Sequence, residues 1–340
     1  MRLPITGSPN SETGGKTIAH GGDLGEVRRR HPEAPQPWID LSTGINPLPY
    51  PVGALPADAW SRLPQRESEQ ALIAAAARRY RCDAAQVVAA PGTQALIQVL
   101  PRLVASARVA IVGPTYAEHA LCWRRQGHDV AVATDLAAAA SDVVVIVNPD
   151  NPTGRLAPPQ ALRRVDAGLL IVDEAFIDLL PPEASLAHDL PDNAIVLRSF
   201  GKTYGLAGVR LGFAIAAPPL AARLREELGP WAVSGPALAI GTTALSDDAW
   251  LQATKARLDA DAAKLDAVLT SRGLKVLGGT PLFRLASHSK ARDLVDALAR
   301  HGIHVRAFAH QPTWLRFGLP ADADGFRRLS DALQVPQKVR

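Results

Sequence analysis

An open α/β architecture is what this 340-residue sequence predicts: a mostly parallel sheet between helices, with a smaller α+β unit beside it. Three observations carry that reading. Residues 142–147, 168–172, 194–198 and 211–215 are short, nearly uninterrupted apolar runs, the pattern of strands buried on both faces. The first three end in polar residues, and helical stretches separate the strands. Residues 247–272 then read as one long amphipathic helix, after which the pattern becomes α+β.

Composition bounds the rest. Hydrophobic residues make up 47% of the chain and charged residues 21%, enough apolar material for a full core and too little charge for extended disorder away from the ends. The length suits one large and one smaller domain. We expect a disordered tail at 1–18, an arm at 19–63 that contributes to the small domain, a large domain at 64–235 and a small one at 236–340. Net charge is +4, but the arginines are scattered. No basic stripe interleaved with aromatics suggests a nucleic-acid partner. Cys82 and Cys122 lie too far apart for a zinc motif or a disulfide framework. The first 17 residues lack an apolar signal core, and no run of about 18 apolar residues could span a bilayer. The expectation is a cytoplasmic, soluble protein that needs no metal.

In chain order, a short basic helix at 24–30 follows Ala19-His20-Gly21-Gly22-Asp23, and 38–42 reads as a strand. Thr43-Gly44-Ile45-Asn46-Pro47-Leu48-Pro49-Tyr50-Pro51 comes next. Its three prolines in five residues exclude a sheet interior, leaving either a linker or the wall of a site. Residues 67–80 form a helix. A strand at 87–90 runs into Pro91-Gly92-Thr93-Gln94, which opens a helix through 103. Free N–H groups and the positive end of a helix dipole make such a turn either a phosphate site or a plain structural joint. Tyr116 stands just beyond the strand at 109–112, placed to stack on a flat ligand or to fill the core. A helix at 116–126 and a strand at 130–133 follow.

The run 142–147 ends in Asn148-Pro149-Asp150-Asn151-Pro152-Thr153-Gly154, a stiff turn whose second asparagine can donate to a ligand oxygen. The run 168–172 ends at Asp173-Glu174-Ala175-Phe176, and 194–198 ends at Ser199 and Lys202. Ligands of open α/β sheets bind at the carboxyl edge of the strands. Thr93, Tyr116, Asn151, Asp173, Ser199 and Lys202 are therefore expected to converge. In the C-terminal part, Leu251, Leu258 and Leu265 form one stripe of the long helix, with Ser246 as N-cap and Gly273 as C-cap. Strands at 275–277 and 282–285, a helix at 289–301, strands at 303–306 and 314–319, and a helix from Asp322 complete the chain.

Lys202 is chemically singled out. Of 37 basic residues only 7 are lysines, and no other lies between Lys16 and Lys255. An amine can lose its proton and attack a carbonyl to form a Schiff base, which a guanidinium cannot. With Ser199, Arg210 and the close glycines Gly201, Gly205 and Gly208, it suits an aldehyde-bearing, phosphorylated cofactor. Pyridoxal 5′-phosphate (PLP) is the expected one.

The series Asn148 to Gly154, then Asp173-Glu174-Ala175, then Ser199-x-x-Lys202 with Arg210 eight residues on, resembles the fold-type I PLP enzymes of the class I/II aminotransferase superfamily. The likeness runs from His20 to about Gln334 and implies a mostly parallel, seven-stranded sheet in a large domain plus a small α+β domain. Ala19-His20-Gly21-Gly22-Asp23, Asp40 to Pro47, Asp173 to Asp178 and Pro230-Trp231-Ala232-Val233-Ser234 resemble its threonine-phosphate decarboxylase branch, which serves cobalamin biosynthesis.

The resemblance implies a homodimer acting on a small phosphorylated amino acid. Lys202 would be the reactive amine, and Asp173 the partner of the pyridinium nitrogen. Asn151 would donate to the ring oxygen and Tyr116 would stack. Gly92, Thr93, Gln94, Ser199 and Arg210 would hold the cofactor phosphate. Arg316, Arg306, His20, Gly21, Gly22 and Asn46 would face the substrate. Phe176 stands where many relatives have a tyrosine, and Leu63-Pro64 where many have Tyr-Pro. The implied reaction is decarboxylation of L-threonine O-3-phosphate. The alternatives are a phospho-substrate aminotransferase of the histidinol-phosphate type and a PLP-binding protein without turnover.

Overall fold

The computed structural model describes residues 21–334, which build two sheets. Strand β1 (Ile39–Leu41) belongs to the smaller one. The larger has seven strands: β2 (Val87–Ala90), β3 (Arg108–Val112), β4 (Asp129–Ala133), β5 (Val143–Val147), β6 (Leu169–Asp173), β7 (Ala194–Ser199) and β8 (Gly212–Ala216). Their order is β2-β8-β7-β6-β5-β3-β4. Every residue of β5, β6 and β8 is buried, as helices on both faces require. β4, at the edge, is mostly exposed.

β8 departs from the parallel pattern by running antiparallel to both neighbours, β2 and β7. That reversal matters for the site. Arg210 precedes β8, so it reaches the same edge at which β2, β6 and β7 end. Two helices the apolar runs did not announce, Pro218–Leu228 and Gly235–Leu245, each begin with a proline in the first turn, where the missing N–H costs nothing. The helix expected through 103 is α-helical only over Thr93–Val99 and tightens to 3-10 geometry over Leu100–Leu103. Pro101 lacks the N–H that would continue the α ladder.

The smaller sheet adds β9 (Lys275–Thr280), β10 (Phe283–Ser287), β11 (Ile303–Phe308) and β12 (Gln311–Gly318), in the order β1-β11-β12-β10-β9. β1 pairs in parallel with β11, Ile39 opposite Ile303, so the N-terminal arm completes a sheet made otherwise from the C-terminal part. Helix Gly235–Leu245 gives Leu238, Ile240 and Leu245 to the core under the large sheet. Helix Asp248–Ser271 gives Leu251, Leu258, Leu265 and Leu269 to the other core, against Phe283 and Phe317. Each such leucine contributes about 1.5–3 kcal/mol by burial. The chain changes cores between Leu245 and Leu251.

The N-cap of that long helix is Asp247, which accepts from Trp250 N at 2.9 Å, and not Ser246. Ser246 Oγ instead donates back to Thr242 O at 2.8 Å. A carboxylate also suits a helix N-terminus better than a hydroxyl does. Gly273, with φ +79°, ends the helix as expected. In the stiff 46–51 segment Asn46 and Tyr50 are buried while Leu48 is 43% exposed. The segment lies on the lysine turn of its own chain, with Tyr50 N donating to Tyr204 O at 2.8 Å. Among the described residues no helix is long and apolar enough to cross a membrane. The tail at 1–18 lies outside the described residues.

Candidate active site

Lys202 stands on the single-turn helix Phe200–Thr203, directly after β7. Its Nζ lies 4.7 Å from the centre of the Phe176 ring, and no hydrogen bond or ion pair ties it to a described residue. Burial first, then the charges of Arg316 and Arg210, bring the amine down to about 8 against the opposing pull of Asp173. Desolvation and like charge both disfavour the ammonium form. The result is an amine that is neutral in a useful fraction near neutral pH, as a nucleophile or base needs.

Asp173 ends β6 and is buried. His119 Nε2 lies 3.0 Å from its Oδ2, and Ala175 N donates to Oδ1 at 3.1 Å. His119 comes from the helix Ala117–Arg125 and packs edge-on against Tyr116, ring centres 6.1 Å apart. Tyr116 in turn donates to Gln94 Oε1 at 3.0 Å, and Gln94 Nε2 donates to Glu118 at 3.0 Å.

Asn151 and Arg316 meet although 165 residues separate them. Arg316 Nη1 donates to Asn151 Oδ1 at 2.5 Å, and Nη2 donates to Ser42 O at 2.6 Å. With its oxygen engaged, Asn151 keeps its Nδ2 as the donor end. Arg316 is buried, and burial followed by the nearby Arg306 lowers it to about 10. Arg306 and Arg316 stand opposite each other on β11 and β12. Arg306 lies beside Phe308, and burial lowers it as well. Gly22 N donates to Ser42 Oγ at 2.8 Å, which brings the arm to the same wall. The turn bearing Asn151 is locked to the small sheet because a Cβ at Gly154 would sit 2.1 Å from Gly279 O, so only glycine fits.

A cationic cradle forms where β2, β7 and β8 meet. A Cβ on Gly92 would lie 2.6 Å from Arg210 Nη2, and one on Gly212 would lie 2.6 Å from Thr93 N. The guanidinium thus lies beside Gly92, the N-cap of helix Thr93–Val99, and donates to Ala207 O at 3.2 Å, with Ser199 at the end of β7. Arg210 itself adopts φ +55°, a left-handed conformation that a non-glycine side chain takes at a cost of about 1–3 kcal/mol. This donor set fits PLP: a desolvated amine, an anion at Asp173, an amide donor at Asn151, and a cationic cradle whose space any Cβ at Gly92 would fill.

Not every expected residue faces this space. Gln94 spends its side chain on Tyr116 and Glu118, leaving only its backbone N–H for an anion. Asn46 is 2% exposed and its side chain is bound to Thr203, Leu48 and Arg257. Its place is behind the lysine. Phe176 packs on Phe283 with ring centres 5.0 Å apart. Leu63 is 62% exposed. His20 lies outside the described residues.

Sequence reasoning missed two supports. His119 was visible only as one histidine in a turn-to-helix stretch, with no spacing that ties it to Asp173. The other is a buried cluster around Arg198, which donates to Glu174 at 2.9 Å, to Ser185 at 3.0 Å and to Asp178. Its guanidinium also lies 4.4 Å from the centre of the Tyr80 ring. Arg198 and Glu174 are next to Ser199 and Asp173 in the chain, so the cluster clamps the ends of β6 and β7 from below.

This arrangement is that of the aminotransferase class I and II family, whose model matches residues 37–333, and the chain belongs to that family. It is 46% identical over 326 residues to a threonine-phosphate decarboxylase of Sinorhizobium sp, covering 93% of this chain and 97% of that one. A threonine-phosphate decarboxylase of Pseudomonas aeruginosa is 43% identical over the same shares. Among solved structures, histidinol-phosphate aminotransferase from Sinorhizobium meliloti, in complex with pyridoxal-5′-phosphate, superposes with a TM-score of 0.74 at 25% identity. The shares covered are 90% of this chain and 92% of that one. L-threonine-O-3-phosphate decarboxylase from Porphyromonas gingivalis gives 0.72 at 18% identity, over 87% and 98%.

Proposed function

We propose that this chain is a PLP-dependent carboxy-lyase that converts L-threonine O-3-phosphate to (R)-1-aminopropan-2-yl phosphate and carbon dioxide, a step of cobalamin biosynthesis. The observation that carries the choice of reaction is the 46% identity to a threonine-phosphate decarboxylase along 93% of the chain. The fold alone does not choose, since aminotransferases share it. When bound, PLP supplies an electron sink that lets a bond at the substrate's Cα break.

The chain's own residues do the rest. Lys202 would hold the cofactor covalently and deliver a proton from Nζ to Cα after the carboxylate leaves. Asp173, oriented by His119, would face the pyridine nitrogen and keep it protonated. Asn151 Nδ2 would donate to the ring oxygen, and Tyr116 would lie against the ring. Gly92, Thr93, Ser199 and Arg210 would hold the cofactor phosphate, with the Gln94 backbone N–H beside them. Arg316, already oriented by Asn151 and Ser42, would take one anionic group of the substrate. Arg306 and the His20–Gly22 stretch would serve the other.

The carboxylate must be free to leave, so binding is best concentrated on the remote phosphate, which the arginines would hold. The deciding experiment incubates the PLP-loaded enzyme with threonine phosphate and no 2-oxo acid. Carbon dioxide and aminopropanol phosphate are expected. A requirement for a 2-oxo acid, with no carbon dioxide, sinks the reading in favour of the histidinol-phosphate type of transamination.

We further infer a cytoplasmic homodimer. Trp60 is 70% exposed, Leu63 62% and Trp231 60%. The short helix Asp58–Ser61 packs beside Gly235, which brings these apolar side chains toward one face. An active monomer at assay concentration in the ultracentrifuge would contradict this.

A further inference from the structure

The single-turn helix that carries Lys202 is tied down from the far ends of the chain. A helix leaves its last carbonyls without intrahelical donors. Here those of Lys202 and Thr203 are both met by one residue of the N-terminal arm. Asn46 N donates to Lys202 O at 2.8 Å, and Asn46 Nδ2 donates to Thr203 O at 2.9 Å. Asn46 Oδ1 then accepts from Leu48 N at 3.1 Å and from Arg257 Nη2 at 2.8 Å. Arg257 lies on helix Asp248–Ser271 and is anchored by Asp261 at 3.2 Å.

One further bond from the same arm, Tyr50 N to Tyr204 O at 2.8 Å, also holds the turn, beyond the Lys202 and Thr203 carbonyls. The turn's own closing bonds, Tyr204 N to Phe200 O and Gly205 N to Lys202 O, measure 3.2 and 3.4 Å. Beyond them the Tyr204 ring stacks between Phe200 and Trp250, with centres 4.4 and 5.3 Å away. That stack holds the turn against the same long helix, yet rings can slide in their planes, whereas two hydrogen bonds to carbonyls cannot. The bond from Arg257 is charge-assisted, roughly twice as strong as a neutral one.

We infer that Asn46 and Arg257 are positioning residues for Lys202: through the Lys202 and Thr203 carbonyls they set how the amine approaches the space between Phe176, Asp173 and Arg316. This rests on the reading of Lys202 as the reactive amine. The same pin joins three segments, the N-terminal arm, the lysine turn and the long helix, so the amine keeps its place relative to Arg316 on the small sheet.

The test uses the full-length, PLP-loaded enzyme with Asn46→Ala, Arg257→Met and the conservative Arg257→Lys. Each is measured for kcat and KM with threonine phosphate, for the pH dependence of the visible absorption band, and for thermal unfolding. A reactive group displaced by about 1 Å loses on the order of a hundredfold in rate. Arg257→Met is therefore expected to lower kcat by at least about tenfold while KM changes little. The absorption titration should shift, and Arg257→Lys should recover most of the loss. A fall in unfolding temperature with kcat and the absorption titration unchanged overturns the proposal, leaving Asn46 and Arg257 merely structural. Should Asn46→Ala fail to fold, the two Arg257 variants decide alone. Lys202→Ala separates the two readings: if it keeps turnover, the reactive amine itself is misassigned. If it is dead while the Arg257 variants are normal, only the pin is refuted.

Discussion

His119 Nε2 lies 3.0 Å from Asp173 Oδ2, with the ring fully buried and the aspartate 4% exposed. A carboxylate at that depth needs hydrogen-bond partners close at hand. The imidazole is one of them, alongside the Ala175 N–H. Between them, both carboxylate oxygens have a partner. His119→Phe should therefore weaken retention of PLP and lower unfolding stability by about 1–3 kcal/mol, the penalty of an unsatisfied buried acceptor. His119→Asn, which can still donate, should recover part of both. PLP release followed by absorbance, together with urea unfolding, checks it, and an unchanged release rate in His119→Phe argues against the role.

Lys202→Ala should abolish borohydride-stable attachment of PLP. Reduction followed by peptide mass mapping reads this directly, and label on any other lysine refutes the assignment.

The pH dependence follows from the same amine. Its folded value, about 8, lies below the ordinary 10.5 because of burial and then Arg316. Below about pH 8 the amine is protonated, so capture of PLP by the cofactor-free protein should rise about tenfold per pH unit and level off above it. The folded state binds this proton less tightly than the unfolded state does. The penalty is therefore full below about 8 and is relieved as pH rises toward 10.5. Arg316→Met removes the second cause and should move the capture inflection upward. A downward move contradicts the electrostatics.

Arg316→Ala should damage turnover with threonine phosphate far more than it weakens PLP retention. A buried charge-assisted contact to substrate is worth about 2–5 kcal/mol, so kcat/KM should fall by that amount with PLP occupancy intact. Unphosphorylated threonine should likewise lose several orders of magnitude in kcat/KM with the unmodified enzyme. Equal rates for threonine and its phosphate in parallel assays would exclude a site built around the substrate's phosphate.

The Arg198 cluster is the structural counterpart. Arg198→Met would leave Glu174 and Asp178 buried without their cation. Breaking a buried pair on one side costs about 3–5 kcal/mol, readable as a lower urea midpoint. Adding Glu174→Gln and Asp178→Asn should restore much of the loss, because the stranded charges go with them. If the triple variant is no more stable than Arg198→Met alone, the cost lies elsewhere.

Apolar runs and strand-end residues fixed a good deal in advance. β5, β6 and β7 were legible because a strand buried on both faces has no polar positions to blur it, and the residues after each had to emerge at one edge. Lys202 stood out because an amine is chemically distinct in an arginine-rich chain. Fold class, and the place of Asn151, Asp173, Ser199 and Lys202 at one edge of the sheet, were therefore legible from local pattern plus the geometry of parallel sheets.

What local pattern cannot encode is pairing between distant segments. That β8 runs backwards, so Arg210 reaches the cradle from the strand's beginning, depends on how the sheet closes. The partnership of His119 with Asp173 spans 54 residues, that of Arg316 with Asn151 spans 165, and that of Asn46 with Thr203 spans 157. Each is a hydrogen bond between side chains or carbonyls that have no periodic signature. Burial makes these bonds obligatory once the chain has collapsed, but only the packed fold decides which donor meets which acceptor. So Asn46, expected to face the substrate, instead stands behind the lysine, where the carbonyls of a one-turn helix needed a donor.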